Sequence, residues 1–261
     1  MERWRGKWAL ITGASAGIGL ALAAQLAAGG ASLILTARRR ERLKTLAERL
    51  SEQHGVRIEV FSADLALPVV PEQIFGFTEK QRIAVDLLVN NAGFGTYGRF
   101  HTSDRTRQAE MVQVNVAAVV ALTHLYLPGM IERRRGDILI VASTAAFQGV
   151  PYLSTYAATK AFDLMFAEAL AEEVRHYGIR VCALCPGSTA TEFQEVAGEP
   201  HRLHHHAESA AKVARVGLAA LARGRSYAIS GVANYLRTHV QRLVPRQFVT
   251  RMAGKMLRPS D

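Results

Sequence analysis

Cysteine is scarce in this chain, which has only 2 Cys among its 261 residues. Cys182 and Cys185 form a C-x-x-C pair, a spacing found in redox and zinc sites, but they lie in the apolar run RVCALCPG without a second pair of ligands. This context favours buried packing cysteines over a redox or metal motif. Unpaired cysteines are typical of a reducing compartment, so we expect a cytoplasmic protein.

Repeats, low-complexity tracts and targeting segments are also missing. The N-terminal run MERWRGKWALITG passes into a glycine loop rather than a cleavage site, so we predict no signal peptide. The most apolar longer stretch, 112–127, contains four polar residues and is too short for a bilayer, so we predict no transmembrane helix. With 49% hydrophobic and 21% charged residues, the chain has the composition of one globular domain.

Acidic residues are in deficit, since 22 Asp and Glu face 32 Lys and Arg and the net charge is +10. A nucleic-acid-binding protein would show a basic stripe with aromatic residues or a known motif, and neither is present. The basic residues concentrate in 38–44, 132–135 and the last forty residues. The first two groups are typical of solvated helix faces, and we expect no nucleic-acid partner.

Short apolar runs alternate with helix-like segments along the chain. The predicted strands are 7–12, 32–36, 57–61, 86–89, 137–142, 179–184 and 227–230, and the predicted helices are 20–28, 39–54, part of 71–82, 104–134, a run around Tyr156, and 208–223. This alternation indicates parallel strands, right-handed crossovers and helices on both faces. We predict an α/β fold with one doubly wound sheet of seven strands.

A glycine-rich loop, TGASAGIG at residues 12–19, lies between the first predicted strand and helix. Its glycines are Gly13, Gly17 and Gly19, a spacing of G-x-x-x-G-x-G. Glycines allow backbone N–H groups to approach a pyrophosphate, which the following helix N-terminus also attracts. The loop lacks the Lys of a nucleoside-triphosphate loop, so it indicates a dinucleotide.

Tyr156 and Lys160 are four residues apart in STYAATKAFDLMF. In a helix they would share one face, with Cβ atoms about 5–6 Å apart. The ammonium would then lower the pKa of the phenol from its usual value near ~10 toward working pH, so that Tyr156 could exchange a proton. Such pairs also arise by chance, but here Asn115, Ser143 and the glycine loop accompany it.

Seven elements in order, TGASAGIG, Asp64, NNAG at 90–93, Asn115, Ser143, YAATK at 156–160 and PGSTAT at 186–191, resemble the short-chain dehydrogenase/reductase family over residues 7–230. The resemblance implies a Rossmann fold and an oxidoreductase that interconverts a carbonyl and a secondary alcohol by hydride transfer. It implies that Tyr156 is the acid/base, that Lys160 lowers its pKa and binds the nicotinamide ribose, and that Ser143 binds the substrate oxygen. Asn115 would interrupt its helix and hold a water leading to Lys160.

The same resemblance implies the cofactor contacts. Asp64 would accept from the adenine amine, the residues 91–93 would follow the sugar and pyrophosphate, and the PGSTAT segment would bracket the nicotinamide. Together with three residues predicted from the charge pattern, Ser15, Arg38 and Arg39, the full predicted cofactor set is Gly13, Ser15, Gly17, Ile18, Gly19, Arg38, Arg39, Asp64, Leu65, Asn91, Ala92, Gly93, Tyr156, Lys160, Pro186, Gly187 and Thr191.

The end of the second strand indicates which dinucleotide binds. A carboxylate there would bind the ribose 2′-OH of NAD, whereas Arg accommodates a 2′-phosphate. The chain reads LTARRRE and has no acid before Glu41. Arg38, Arg39 and Ser15 could all bind phosphate, which favours NADP(H), although exposed arginines at a helix start give the same pattern.

Residues 231–261 extend the predicted domain 1–230. Within 231–259 there are six basic residues and no acid: Arg237, Arg242, Arg246, Arg251, Lys255 and Arg258. Two short amphipathic helices are predicted, the first with Leu236, Val240, Leu243 and Val244 on one face, the second beginning at Pro245 with Phe248, Val249, Met252 and Met256 apolar. They would cover the substrate cleft or a partner subunit, or lie on an anionic membrane surface, which would suit an apolar or acyl substrate.

The run HRLHHH at 201–206 lacks partner ligands, so we expect a loop over the substrate and no metal. Ala161–Leu170 carries only Asp163 and Glu168 as charges, which predicts a covered outer face in a homodimer or homotetramer. A dinucleotide-sensing or scaffold protein on the same fold is the alternative function; the complete set of Asn115, Ser143, Tyr156 and Lys160 favours the enzyme.

Overall fold

The computed structural model describes residues 2–199 and 207–259. The strands of its main sheet are β1 Trp8–Thr12, β2 Ser32–Ala37, β3 Ile58–Ser62, β4 Val85–Asn90, β5 Gly136–Val141, β6 Ile179–Cys185 and β9 Tyr227–Ile229. All seven are parallel and follow the order β3-β2-β1-β4-β5-β6-β9, which confirms the predicted doubly wound sheet. The interior strand β1 pairs Leu10 with Ile34 on one side and with Leu88 on the other.

Helices cover both faces of this sheet. They are α1 Gly17–Ala28, α2 Arg40–His54, α3 Val70–Lys80, α4 Arg105–Val112, α5 Ala118–Glu132, α6 Ser154–Glu173, α7 Phe193–Ala197, α8 Ala210–Ala222, α9 Val232–Val240 and α10 Arg246–Met256. Because side chains alternate along a strand, Ile11 packs with α1, α2 and α8, and Leu10 packs with α3, α5 and α6. The two apolar cores hold the strands in place, and the site described below lies at the ends of these strands.

The predicted helix 104–134 is interrupted at Asn115. Residues Gln113–Ala117 form a π-helical segment between α4 and α5, as the family resemblance implied. The whole run Arg105–Glu132 has the length and apolar composition of a membrane span, contrary to the expectation from the shorter stretch. Met111, Leu122 and Met130 in it are almost fully buried against the sheet, which is the packing of a core helix.

The segment between β6 and α8 has more structure than predicted. It contains α7 and two short strands, β7 Thr189–Ala190 and β8 Glu208–Ser209, which pair in parallel. Helix α8 begins at Ala210 rather than at Glu208 because the side chain of Ser209 caps it by accepting from the Lys212 N–H. The sequence HRLHHH at 201–206, predicted as a loop over the substrate, lies outside the described residues.

Cys182 and Cys185 are free and buried in β6, as predicted. Residues three apart in a strand point to opposite faces, so Cys182 packs in one core and Cys185 in the other. Burial raises the pKa of Cys182 to about 12 and raises that of Cys185 as well. The pair therefore cannot act as one redox or metal motif.

The C-terminal extension forms two helices, α9 and α10, as predicted. A 3-10 turn, Gln241–Leu243, follows α9, and Pro245 occupies the N-cap position of α10. Val244 has extended backbone angles, φ −116 and ψ 142, so the prediction that it continues the first helix face is wrong. The residue before a proline avoids the helical region, which explains this break.

Candidate active site

A cleft of about 490 Å³ opens at the carboxyl ends of the strands. It lies beside β1 and β4, where the strand order reverses and where ligands bind in open α/β sheets. The cleft brings together Gly13, Ser15, Gly17, Ile18, Arg38, Arg39, Asp64, Leu65, Asn91, Ala92, Gly93, Ser143, Tyr156, Lys160, Pro186, Gly187 and Thr191. Of the residues implied by the resemblance, Gly19 and Asn115 do not line it.

The glycine loop is held close to β4. Gly13 has φ +66, and a Cβ on it would lie 2.8 Å from Asn91 Nδ2, so a larger residue would be both strained and obstructed. A Cβ on Gly19 would lie 2.3 Å from the Gly13 carbonyl oxygen, which explains why Gly19 matters although it lies behind the lining. Asn91 Nδ2 donates to the Thr12 carbonyl at 2.8 Å, so the Asn91 side chain positions the loop itself.

Tyr156, Ser143 and Lys160 lie together at one end of this cleft, which we call the buried end. Burial raises the pKa of Tyr156 above its ordinary value of 10.0, while Lys160 and a hydrogen bond with Ser143 act to lower it. The prediction that Lys160 brings this pKa down toward working pH is therefore wrong for the protein without cofactor, because desolvation is the larger effect. At neutral pH Tyr156 is a protonated phenol.

Lys160 has a buried partner that the sequence reasoning did not assign. Its Nζ donates to the Val141 carbonyl at 2.7 Å and to Asp163 Oδ2 at 2.9 Å. Burial raises the pKa of Asp163 despite Lys160, whereas Asp163 and Tyr156 raise the pKa of Lys160 despite burial. Because Lys160 remains an ammonium and contacts Asp163 Oδ2 at 2.9 Å, the two form an ionised pair at neutral pH.

Asn115 is fully buried behind the lining. Its Oδ1 accepts from the Phe94 N–H at 3.1 Å and its Nδ2 donates to Thr159 Oγ1 at 3.0 Å. A Cβ on Gly93 would lie 3.1 Å from Asn115 Oδ1 and 3.4 Å from Lys160 Nζ. Because glycine has no side chain, these two polar groups border the same small space. The water implied between them stays a prediction.

Arginines concentrate at the other end of the cleft, which we call the arginine end. Arg39 donates to Ser15 Oγ at 3.1 and 3.2 Å, so the two predicted phosphate contacts are adjacent. Arg39 and Arg42 also donate to Glu192 at 2.5 and 2.6 Å, and these bonds lower the pKa of Glu192. Glu192 follows β7 on the far side of the cleft, and no motif or spacing indicates this contact.

The family model for short chain dehydrogenase matches residues 7–202. This chain belongs to the short chain dehydrogenase family. It is 37% identical over 190 residues to hydroxysteroid dehydrogenase-like protein 1 of Gallus gallus, matching 72% of this chain and 57% of that protein. It is 32% identical over 196 residues to the very-long-chain 3-oxoacyl-CoA reductase of Rattus norvegicus, matching 73% and 62%. The chain thus spans about three fifths of the length of these relatives.

One further relative of this short chain dehydrogenase is an inactive family member. The inactive hydroxysteroid dehydrogenase-like protein 1 of Homo sapiens is 32% identical over 205 residues, which are 76% of this chain and 60% of that protein. Family membership therefore does not by itself establish turnover.

Solved structures of the family share this fold. A short-chain dehydrogenase from Sphingobium yanoikuyae in complex with NADPH has a TM-score of 0.82 at 29% identity, covering 91% of this chain and 94% of its own. A 7β-hydroxysteroid dehydrogenase has a TM-score of 0.87 at 26% identity, covering 97% and 98%. A family member from Burkholderia phymatum in complex with NAD, 24% identical with a TM-score of 0.81 over 93% and 95%, shows the fold alone.

The residues of this short chain dehydrogenase fit a nicotinamide dinucleotide. The first turn of α1 has no side-chain cap, because Ala16 occupies the N-cap position, and its N–H groups remain available to a pyrophosphate. A Cβ on Gly17 would lie 2.9 Å from Thr191 Cγ2, so the glycine keeps the cleft open there. Asp64 lines the cleft, although its Oδ1 already accepts from the Ala66 N–H at 3.0 Å.

Apolar side chains that the sequence analysis did not assign surround Tyr156 on the remaining side. The ring of Phe193 lies 5.1 Å from that of Tyr156, centroid to centroid. Leu153 and Leu257 pack in one apolar cluster with Tyr156, and Phe94 and Val196 also line the cleft. Glu199 also lines the cleft, and burial raises its pKa. Residues from α7 and the C-terminal extension cannot be assigned to a cleft by motif, because only the folded chain brings them there.

Proposed function

We propose that this protein is an NADP(H)-dependent oxidoreductase that interconverts a carbonyl and a secondary alcohol. The observation that carries the proposal is the buried end of the cleft, where Tyr156, Ser143 and Lys160 meet. A protonated phenol, a hydroxyl and an ammonium are the groups that a carbonyl oxygen needs while it gains a proton. The family match and the NADPH complex of a related structure support it.

The chain's own residues would handle the oxygen and its proton. Ser143 orients the substrate oxygen, and Tyr156 donates its phenolic proton to that oxygen during reduction. Lys160 stabilises the phenolate that remains, because its ammonium lowers the energy of a nearby anion. When bound, the nicotinamide supplies the hydride to the carbonyl carbon, or accepts it in the reverse direction.

The arginine end supports NADP(H) over NAD(H). Arg38 lines the cleft beside Arg39, and Ser15 lies within hydrogen-bond distance of Arg39. Cationic donors and a hydroxyl in one place match a 2′-phosphate, whereas a ribose hydroxyl would be bound by a carboxylate. Arg42 adds a further cation at the same end.

The substrate is proposed to be an apolar or acyl ketone or aldehyde. The cleft has an apolar lining, in which Phe193, Leu153 and Leu257 lie against Tyr156. Such a lining favours burial of a hydrocarbon chain or ring system. The relatives include a very-long-chain 3-oxoacyl-CoA reductase and a 7β-hydroxysteroid dehydrogenase, whose substrates belong to this class.

Binding of the dinucleotide without turnover is the second candidate function. One observation favours it: the Val141 carbonyl and Asp163 already engage two donors of Lys160, which limits what Lys160 offers a ligand. The human relative described as inactive gives it further support.

A substrate panel separates the two candidates. The protein would be mixed with NADPH and with long-chain ketones and aldehydes, a 3-oxoacyl thioester and a ketosteroid, and loss of nicotinamide absorbance would be followed. We expect consumption with apolar carbonyls, and its loss in Tyr156→Phe while NADPH still binds. Tyr235→Phe, on the exposed helix α9, is the matched control. NADPH binding without consumption of any panel member would contradict the enzyme and support the second candidate.

A homodimer or homotetramer is proposed to cover the outer side of α4, α5 and α6. Met165 and Phe162 on α6 are 59% and 38% exposed, and Val112 on α4 and Val120 on α5 are 44% and 37% exposed. Clustered apolar side chains on neighbouring helices are typical of interfaces between copies. Met165→Glu should shift the sedimentation coefficient toward that of a monomer, whereas Glu173→Gln, exposed at the end of the same helix, should not.

A further inference from the structure

The two C-terminal helices are packed with their apolar faces outward. In α9, Asn234 and Thr238 face the protein: a Cβ on Gly187 would lie 2.4 Å from Asn234 Nδ2, and Thr238 is 3% exposed. One turn later Gln241 donates to the Phe147 carbonyl at 3.3 Å. These inward positions, spaced by four and three residues, are all polar.

The apolar residues of the first helix and the turn after it lie in solvent. They are Val232, Tyr235, Leu236, Val240 and Leu243, exposed by between 49% and 86%. Their spacing of three or four residues places them on one stripe. A surface helix normally buries its apolar stripe, so this stripe requires another partner.

Helix α10 repeats the arrangement. Its inward residues are small, since Ala253 is buried and Gly254 lies where a Cβ would be 3.3 Å from Pro151 Cγ. Phe248, Met252 and Met256, four residues apart, are 56%, 43% and 69% exposed. Two helices in sequence therefore share one inverted pattern, and we call their exposed apolar side chains with the nearby cations the C-terminal surface.

The charge of this surface indicates its partner. Residues 231–259 carry six Lys and Arg and no acid, and Arg242, Arg251 and Lys255 are exposed among the apolar side chains. A second copy of the chain would bring two such sets of cations together, which opposes self-association. An anionic surface would neutralise them and bury the apolar stripe at the same time.

We propose that the C-terminal surface docks on an anionic phospholipid bilayer, with α9 and α10 lying in its plane. Leu257, directly after α10, lines the cleft, and its carbonyl accepts from Tyr97 Oη at 2.7 Å. The docked helix is thus continuous with a wall of the cleft. The proposal concerns binding alone and does not depend on turnover.

The test is flotation of the full chain with vesicles. Phosphatidylcholine vesicles with and without about a third of phosphatidylserine would be compared at low and high salt. We expect at least tenfold more protein with the anionic vesicles at low salt, and most of it released at high salt. Failure of the folded protein to float with anionic vesicles overturns the proposal.

Paired variants locate the binding surface. Leu243→Ser with Phe248→Ser, and separately Arg242→Glu with Lys255→Glu, should each reduce flotation at least tenfold. The controls are Leu67→Ser with Phe100→Ser and Arg49→Glu with Lys80→Glu, which make the same changes at exposed positions elsewhere. Circular dichroism would verify folding. If the C-terminal variants float like wild type, or instead abolish self-association in sedimentation, the surface is not a lipid site and the proposal is wrong.

Discussion

The two ends of the cleft hold their cations in opposite ways. At the buried end, Lys160 is 5% exposed and its ammonium contacts Asp163, which is fully buried. At the arginine end, the side chains of Arg39 and Arg42 are 42% and 53% exposed, and both pair with Glu192, which is 40% exposed. The contact distances are similar, between 2.5 and 2.9 Å, so the difference lies in the surroundings.

This difference separates a fixed group from an exchangeable one. Water and salt weaken an exposed ion pair, which typically contributes about 0–1 kcal/mol. Breaking a buried pair by removing one partner leaves an uncompensated charge and costs about 3–5 kcal/mol. The buried end is therefore suited to hold a reacting geometry, and the arginine end is suited to exchange a protein carboxylate for a ligand phosphate.

The largest expected effect is on turnover in Tyr156→Phe. The substitution removes the proposed proton donor and keeps the ring, so kcat should fall by about 10²–10⁴ while NADPH affinity stays within a few-fold. Near-normal turnover in the variant on a good substrate would rule out Tyr156 as the acid.

The raised pKa of Tyr156 gives a second readout in the same variant. Because burial raises this pKa above 10.0, the phenol should stay protonated from neutral pH up to that value in the cofactor-free protein. The difference in phenolate absorbance between wild type and Tyr156→Phe should therefore develop at a higher pH than the phenolate absorbance of an ordinary exposed tyrosine. A difference that develops near neutral pH would show that Lys160 outweighs burial.

The next largest expected effect is on the free energy of unfolding in Asp163→Leu. At neutral pH the free energy of unfolding should fall by about 3–5 kcal/mol, because Lys160 loses its buried counter-charge. Without Asp163, burial would place the folded pKa of Lys160 below its ordinary 10.5, so the unfolded chain would bind the proton more tightly. The deficit should then shrink as pH rises toward 10.5, and denaturant titrations at neutral and alkaline pH would measure it.

An exposed ion pair at the end of helix α6 provides a control for this comparison. Glu172 pairs with Arg175 at 3.2 Å with the same spacing of three residues, but the two side chains are 76% and 73% exposed. Glu172→Gln should change the free energy of unfolding by less than about 1 kcal/mol. Equal losses in Asp163→Leu and Glu172→Gln would show that burial does not distinguish the pairs.

The sequence predicted the elements that local patterns specify. Seven strands, the glycine loop and the Tyr156 and Lys160 pair follow from periodicity and motif, and the structure brings them to one cleft. The sequence indicates only that Asp163 is a charge on an apolar helix, because helix spacing alone does not show which face is buried. Glu192 and Leu257 are far in sequence from the groups they adjoin, so their placement depends on tertiary packing. The prediction that the pKa of Tyr156 is lowered was wrong because residue spacing does not show how deeply the phenol is buried.

Cofactor preference should change by a smaller factor in Arg38→Asp. Loss of a charge-assisted bond to the 2′-phosphate costs about 1.5–3 kcal/mol, which corresponds to roughly 10- to 150-fold weaker NADPH binding. NADH affinity should rise, because a carboxylate at this position can accept from the ribose hydroxyls. Fluorescence titration of both cofactors would measure the change. Arg40→Asp makes the same charge change at an exposed residue that does not line the cleft. Equal wild-type affinities for NADPH and NADH would contradict the assignment.

The smallest expected effect is in Glu192→Gln. The Glu192 carboxylate accepts from Arg39 and Arg42, and its pKa is lowered below 4.5, so it is an anion at neutral pH. The 2′-phosphate of NADPH would compete with the Glu192 carboxylate for Arg39, and the neutral Gln amide of the variant would be a weaker competitor. NADPH should therefore bind up to about fivefold more tightly, the equivalent of ~1 kcal/mol for an exposed pair, and added salt should erase the gain. NADH affinity should not change in Glu192→Gln. The control is Glu195→Gln, which removes an exposed charge from α7 and should leave the affinities for both cofactors unchanged. If both cofactors tighten equally, or NADPH weakens, then Glu192 acts on the shape of the cleft and not by competing for the arginines.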